Sequence, residues 1–200
     1  NKIIENVEVK DYLIKNDRII GVKTSNNETF NADIVINTAG SWSSLISNDL
    51  IPNFNVKPIL GQMVSLQSDK PLLNKVIFAS ILGKGGYIVP RRNNEMILGS
   101  TMEDIGFEKK ITDEGISSIL KKCYEIVPEL KKLKIKEKWS GFRPFAEDNL
   151  PIIGRTNIEN LLLATAHGRN GILLAPITAK AVEELAVNNR IMPEIRDFGV

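Results

Sequence analysis

The pattern of apolar and polar residues first predicts a small antiparallel sheet. Apolar positions alternate in short runs at Ile3–Val9, Tyr12–Lys15 and Arg18–Thr24, with polar, asparagine-rich turns between the later runs. Alternation of this kind predicts strands with one buried face, and such turns close antiparallel pairs. We therefore predict a meander over the first part of the chain, completed at Thr29 and Phe30.

Two longer apolar runs have a different pattern. Ala32–Gly40 ends at small residues, and Leu161–Ala166 is followed after a short turn by a helical pattern from Gly171 to about Asn188. Runs without alternation are typical of strands that are covered on both faces, as in parallel α/β sheets. These stretches predict an α/β domain.

The region between these two apolar runs has the pattern of an antiparallel sheet with one helix. A hairpin is predicted from Tyr87–Arg91 and Glu95–Ser100, and Lys134–Trp139 predicts a further strand. Between them, Thr112 can cap a helix that ends before Pro128. We therefore expect an α/β domain that is interrupted by an α+β insertion.

Composition narrows the function classes. The 200 residues carry 26 basic and 24 acidic side chains, a net charge of +2 that provides no concentrated basic face for nucleic acid. The basic run Lys131–Lys138 alternates with apolar residues and predicts a solvated, partly exposed strand. One cysteine rules out an internal disulfide, and Cys123 fits the core of the predicted helix. No apolar run approaches the roughly 20 residues of a membrane helix, so we expect a soluble, cytoplasmic protein that does not bind membranes.

The stretch HGRNGILLAP, from His167 to Pro176, is the first candidate site. It joins the predicted strand Leu161–Ala166 to the following helix, and the carboxyl end of a buried strand is where α/β sheets bind ligands. Glycines in the turn permit close approach of a ligand, and Pro176 suits a first helical turn. An ordinary helix start with a hydrogen-bonded histidine is the alternative.

Six linked motifs then make a specific resemblance. They are Thr38-Ala39-Gly40-Ser41-Trp42-Ser43, Pro58-Ile59-Leu60-Gly61-Gln62, Gly86-Tyr87-Ile88-Val89-Pro90-Arg91, Leu98-Gly99-Ser100-Thr101-Met102, Trp139-Ser140-Gly141-Phe142-Arg143-Pro144 and HGRNGILLAP. In this order and spacing the chain resembles the D-amino-acid oxidase family, most closely its glycine-oxidising members, from about Val35 to Ile191.

The resemblance implies FAD, and it implies no metal. With no cysteine near a flavin motif, we expect the cofactor to be bound without a covalent bond. A helix N-terminus near the pyrimidine end of the flavin would stabilise the negative charge of its reduced form. The residues that match cofactor-binding positions are Ala39, Gly40, Trp42, Gly61, Gln62, His167, Gly168, Arg169, Asn170, Gly171, Ile172 and Leu173.

The resemblance also implies substrate residues. Arg143 matches the arginine that pairs with the substrate carboxylate, a role that suits the two parallel N–H donors of a guanidinium. Tyr87 matches a tyrosine whose hydroxyl assists that carboxylate, Arg169 a second arginine near the entrance, and Met102 a pocket side chain. A surface ion pair for Arg143 and a half-buried strand tyrosine for Tyr87 are the alternatives.

The implied reaction is oxidation of glycine, or of a relative such as sarcosine, to an imine that hydrolyses to a 2-oxo acid and ammonia or an amine. Molecular oxygen would be the second substrate and hydrogen peroxide the second product, and thiamine (thiazole) biosynthesis would be the pathway. A homo-oligomer is compatible with these features. Two alternatives stay open: a dehydrogenase that passes electrons to a carrier or quinone, and a non-catalytic interaction module.

The resemblance implies a doubly wound FAD-binding domain at 1–57 and 145–200, interrupted by an α+β substrate domain with an antiparallel sheet at 58–144.

The sequence departs from the family pattern in three places. Leu60 stands where the family often has arginine, Gly168 stands where it often has an aromatic residue, and the Gly-x-Gly-x-x-Gly turn that holds the FAD pyrophosphate is absent. We therefore expect this chain to be part of a longer protein, and by itself to bind FAD weakly and be inactive.

Overall fold

The computed structural model describes residues 2–47, 50–52, 54–81 and 84–199, which fold into two compact units. The first unit combines Asn1–Pro58 with Arg143–Val200, and the second consists of Ile59–Phe142. Each has its own apolar core. In the described part of the chain, no helix is both long and apolar enough to cross a membrane.

The first unit begins with an antiparallel meander. Its strands β1 (Val9–Lys15), β2 (Arg18–Thr24) and β3 (Thr29–Asn31) lie side by side in chain order. Asn16 and Asp17 form the first turn with φ of 52° and 58°, left-handed values that asparagine and aspartate tolerate better than most residues. The meander predicted from the alternating pattern is therefore present.

A second sheet in this unit places β11 (Leu161–Thr165) between β10 (Ile152–Arg155) and β4 (Val35–Asn37). β11 runs parallel to β4 and antiparallel to β10. All five residues of β11 are buried, which confirms the strand predicted from its apolar run. A short helix, α1 (Ser43–Ser47), follows β4.

Helix α3 (Gly171–Asn188) covers one face of β11. Leu162 and Ala164 face the core against the helix, where Ala181 and Leu185 are almost wholly buried. Alternate residues of β11 face a separate core that includes Tyr12 and residues around Phe54. Because β11 is covered on both faces, its sequence needs no polar alternation.

The second unit holds most of a five-stranded sheet and one helix. The strands of this sheet are β5 (Lys57–Gln67), β6 (Ile77–Ile81), β7 (Lys84–Pro90), β8 (Glu95–Gly99) and β9 (Lys134–Phe145), in the order β6-β7-β8-β5-β9. Within it, β6, β7, β8 and β5 pair antiparallel. The predicted hairpin corresponds to β7 and β8. The first five residues of β9 are exposed, as predicted for the basic run.

Helix α2 (Asp113–Ile126) packs on one face of this sheet. The Thr112 side chain accepts a hydrogen bond from the Gly115 amide at 3.0 Å, which confirms the predicted cap. Cys123 is 1% exposed within this core, and burial raises the pKa of its thiol to about 11. The helix and its buried cysteine were therefore predicted correctly.

Three predictions of local structure were wrong. Residues 2–8 form no strand, and β1 begins only at Val9, because alternation alone does not supply a pairing partner. In the Ala32–Gly40 run only three residues form β4, and Ile34 and Ile36 are 39% and 40% exposed rather than buried on both faces. Pro176 lies inside α3, one turn later than expected.

Candidate active site

The ends of β4 and β11 form the centre of the candidate site in the first unit. Because the two strands are parallel and adjacent, the segments that follow them lie at one edge of the sheet. The Thr165 hydroxyl donates to the carbonyl of Gly40 at 3.0 Å, and Ser43 Oγ donates to Thr165 Oγ1 at 3.1 Å. The structure thus brings together two segments that the sequence predicted to bind a cofactor.

Asn37 shapes the turn after β4. Its amide nitrogen donates to the Tyr12 hydroxyl at 3.0 Å and to the Ser43 carbonyl at 3.1 Å. Its amide oxygen accepts from the Ala39 amide at 3.0 Å. With its side chain buried and satisfied in this way, Asn37 fixes the backbone of Ala39 and Gly40, the latter at a φ of 57°.

The turn after β11 is held by contacts around His167. Its Nε2 lies 2.9 Å from Thr178 Oγ1 on the second turn of α3, and its backbone bridges to Phe145. A side chain at Gly168 would lie 3.0 Å from the Phe145 ring, and the φ of Gly168 is 56°. Phe145 therefore occupies the space that a side chain at position 168 would need.

The first turn of α3 is open to solvent. Ile172 and Leu173 are 96% and 78% exposed, and Arg169 and Asn170 are exposed beside them. No side chain caps this helix, and Pro176 has no N–H to donate to the Ile172 carbonyl. Exposed apolar residues at a helix start are typical of a surface that another group covers.

A groove of about 790 Å³ lies beside the β4 edge. Most of its walls are apolar, and Ala39 and Trp42 belong to them together with Tyr12, Ile36 and Leu45. Trp42 is 50% exposed there. A largely apolar groove of this size, bordered by Ala39 and Trp42, fits the flat, partly apolar body of a dinucleotide cofactor such as FAD.

In the second unit, Tyr87 lies on the sheet face opposite α2. It is half-buried, and its hydroxyl donates to Met63 Sδ at 3.0 Å. The ring stacks on Phe78, with 6.4 Å between centroids and 7° between planes. Met102 follows β8 and is 56% exposed, so both side chains are accessible within this unit.

Gln62 and Gly61 were predicted to bind the cofactor, and the structure buries both residues, with no exposed surface on Gln62. The Gln62 amide nitrogen donates to Glu103 Oε1 at 2.8 Å and to Thr112 Oγ1 at 3.2 Å, and its amide oxygen accepts from the Thr112 amide at 2.8 Å. The side chain joins β5 to the start of α2.

Arg143 lies near the end of β9, is half-buried and belongs to the first unit, whereas Tyr87 and Met102 belong to the second.

Leu60 stands at the position where the resemblance led us to expect an arginine. It has no exposed surface and pairs with Glu103 as an isolated bridge. A charged side chain at position 60 would therefore be buried here.

Burial lowers the pKa of His167 below its ordinary value of 6.5. The folded state therefore favours the neutral ring, and the unfolded chain binds more protons as the pH falls through 6.5. We expect the free energy of unfolding to decrease between about pH 7.5 and pH 5.5, and His167→Gln to weaken that decrease. Urea unfolding at several pH values measures the free energy of unfolding for both proteins. Because the chain has a single histidine, its NMR titration is unambiguous. Equal slopes for both proteins would contradict the prediction.

Most of the chain is similar to a class of flavoenzymes. A family model described as DAO, FAD-dependent oxidoreductase, matches residues 1–185, and the chain belongs to this family. Among curated relatives, it is 37% identical to the bifunctional protein ThiO/ThiG of Nostoc sp. over 97% of this chain and 29% of that protein. Members of the family depend on FAD.

Two solved structures are similar along nearly the full chain. Glycine oxidase from Bacillus cereus is 33% identical, with a TM-score of 0.85 over 93% of this chain and 51% of that one. L-proline dehydrogenase from P. horikoshii is 25% identical, with a TM-score of 0.91 over 99% and 54%. The chain thus spans about half the length of these flavoenzymes and less of the Nostoc protein.

Several residues of the site were not found from the sequence. Asn37, Thr165 and Thr178 shape the two strand-end turns, but their partners lie too far along the chain for a local pattern to reveal them. Gly99 leaves the space in which the Tyr87 hydroxyl meets Met63, and the sequence pattern placed it only within a motif. A glycine inside a strand is the signal that could have drawn attention to it.

Proposed function

We propose that this chain carries the substrate-binding part and one portion of the doubly wound FAD-binding domain of an oxidase. Its substrate is glycine or a related small amino acid or secondary amine. The observation that carries the proposal is the sheet edge where Thr165 joins the turn at Gly40 to the turn after β11. The similarity to glycine oxidase supports the same reaction.

The residues of the first unit suit FAD binding by their exposure and backbone geometry. Ala39, Gly40 and Trp42 would contact it beside the groove, and the exposed turn from His167 to Leu173 would face the ring system. A helix start is favourable for negative charge because its amide N–H groups point outward. When bound, FAD supplies the acceptor for two electrons from the substrate.

Substrate binding rests on a charge and a hydroxyl. Arg143 would pair with the substrate carboxylate through two parallel N–H donors, and the Tyr87 hydroxyl would hold the same group. The amine reacts in its neutral form, so these residues position the α-carbon and need not remove a proton from it. The substrate loses two electrons and two protons to become an imine, which water hydrolyses to a 2-oxo acid and ammonia or an amine. Molecular oxygen accepts two electrons and two protons in all and is released as hydrogen peroxide.

The ThiO/ThiG relative supports a role in making the thiazole part of thiamine. Met102, exposed beside β8, would line the pocket and limit the size of the substrate side chain. Arg169, exposed in the turn before α3, would lie near the entrance.

The test uses the FAD-loaded protein that contains this chain. We expect anaerobic glycine to bleach the flavin absorbance and air to restore it with formation of peroxide, whereas acetate, which has the carboxylate but no amine, should leave the spectrum oxidised. Absence of bleaching with glycine, sarcosine and D-alanine would reject an amine oxidase and favour an interaction module.

A dehydrogenase is the second candidate, favoured by the similarity to L-proline dehydrogenase. The same experiment separates the two enzymes. A dehydrogenase would bleach with substrate but recover slowly in air and rapidly with a quinone, because its reduced flavin passes electrons to a carrier. An oxidase would recover in air at a rate proportional to dissolved oxygen.

A further inference from the structure

One row of residues crosses four neighbouring strands of the second unit. Phe78 pairs with Tyr87, Tyr87 with Gly99, and Gly99 with Met63, on β6, β7, β8 and β5. Neighbouring strands lie about 4.8 Å apart, so two such spacings separate the backbones of Tyr87 and Met63. Their side chains nevertheless meet above Gly99, where the Tyr87 hydroxyl donates to Met63 Sδ at 3.0 Å.

The contact exists because position 99 has no side chain. A Cβ there would lie 2.5 Å from Met63 Sδ and 2.7 Å from both Cζ and the hydroxyl oxygen of Tyr87. Carbon atoms do not approach other heavy atoms so closely without displacing them. Gly99 is not among the described glycines with a positive φ, and the space beside it is already filled by Tyr87 and Met63.

Tyr87 is also held from two other directions. Its ring stacks on Phe78 at 6.4 Å, and its carbonyl accepts a weak hydrogen bond from the Cys123 thiol at 3.9 Å on the opposite face of the sheet. A stacked ring on a fixed backbone has little freedom to move. The thioether of Met63 then determines where the hydroxyl proton points.

We propose that Gly99 and Met63 are positioning residues that hold the Tyr87 hydroxyl where it meets the carboxylate of the substrate. This proposal rests on the proposed function, in which Tyr87 binds that carboxylate. The Met63 thioether is a weak acceptor that receives the hydrogen bond of the Tyr87 hydroxyl in the free protein. A negatively charged substrate oxygen accepts a stronger hydrogen bond and would therefore replace the thioether as acceptor.

Gly99→Ala in the FAD-loaded protein is the principal test. We expect the KM for glycine to rise about tenfold or more while kcat changes by less than about threefold, because a displaced hydroxyl weakens binding of the carboxylate. Gly86→Ala is the matched control on the strand of Tyr87. Among the described residues, a Cβ at position 86 meets only the Gly99 carbonyl at 3.7 Å, so the KM should stay within about twofold.

A double-mutant cycle shows whether Gly99 acts through the hydroxyl. In the Tyr87→Phe background, Gly99→Ala should change the KM by less than about twofold, because the group that it displaces is already absent. Independent, additive effects of the two substitutions would overturn the proposal. If Gly99→Ala does not fold, Met63→Leu takes its place, with an expected KM increase of about threefold in the parent and none in the Tyr87→Phe background.

NMR of ¹³C-methyl methionine supplies a readout that needs no turnover. The chain has four methionines, and Met63→Leu assigns the Met63 signal. We expect Tyr87→Phe and Gly99→Ala to shift that signal and Gly86→Ala to leave it in place. An unshifted Met63 signal in both variants would overturn the positioning. The expected shifts in a protein that does not oxidise glycine would overturn the proposed function instead.

Discussion

Replacing Arg143 by alanine is expected to raise the apparent KM for glycine about a hundredfold and to change kcat much less. The substitution removes both N–H donors and the positive charge that we assign to the substrate carboxylate. Truncating one partner of a hydrogen-bonded charge pair costs about 2–5 kcal/mol, and each 1.4 kcal/mol corresponds to a factor of about ten in affinity. Steady-state kinetics of the FAD-loaded protein measure the effect.

Two further variants and one alternative substrate sharpen this test. Arg143→Lys keeps the charge without the planar fork and should give an intermediate KM. Arg92→Ala removes an exposed arginine from the turn between β7 and β8 and should leave the KM unchanged. Ethylamine, which lacks a carboxylate, should not distinguish Arg143→Ala from the parent. An unchanged KM for glycine in Arg143→Ala would refute the carboxylate assignment.

Replacing Gln62 by leucine is expected to lower the free energy of unfolding by about 2–4 kcal/mol. Leucine has a similar volume, but it leaves the Thr112 amide and the Glu103 carboxylate without the hydrogen bonds that they make to Gln62. Buried polar groups that lose their partners account for a large part of such losses. Urea unfolding of the chain without cofactor measures the difference.

Gln67→Leu is the matched control, since it changes the same residue type at the exposed end of the same strand. The Gln67 amide donates to the carbonyls of Ser68 and Asn93 at 3.0 Å near the surface, so its loss should cost about 1 kcal/mol or less. A Gln62→Leu variant with unchanged stability but weaker FAD binding would contradict this prediction and support the predicted role of Gln62 in cofactor binding.

The secondary structure was predictable wherever the signal was local. The bounds of β2 and α3 coincide with the alternating and helical stretches, and Thr112 caps α2 because a threonine before two acidic residues is a strong start signal. The strand predicted at Ile3–Val9 does not form before Val9, because an alternating pattern is equally compatible with an extended segment that has no partner strand. Pairing is a property of the partner strand, which the local pattern does not contain.

The candidate site was predictable only in outline. A buried strand followed by a glycine-containing turn and a helix located the His167 turn, but not its hydrogen bond to Thr178. Gln62 shows the opposite difficulty, since its place in a motif predicted contact with a cofactor and gave no sign of its buried hydrogen bonds. Its satisfaction by Glu103 and Thr112 depends on segments 41 and 50 residues away, so only the folded chain could reveal it.

The unpaired edge of β4 makes the isolated chain prone to self-association. Among the described residues, β4 pairs with β11 on one edge and with no strand on the other, and Ile34 and Ile36 lie 39% and 40% exposed there. An unpaired strand edge beside apolar side chains is a template on which another chain can add a strand. Edge-to-edge self-association is therefore the expected route of aggregation for the isolated chain, and a lysine at position 36 should suppress it.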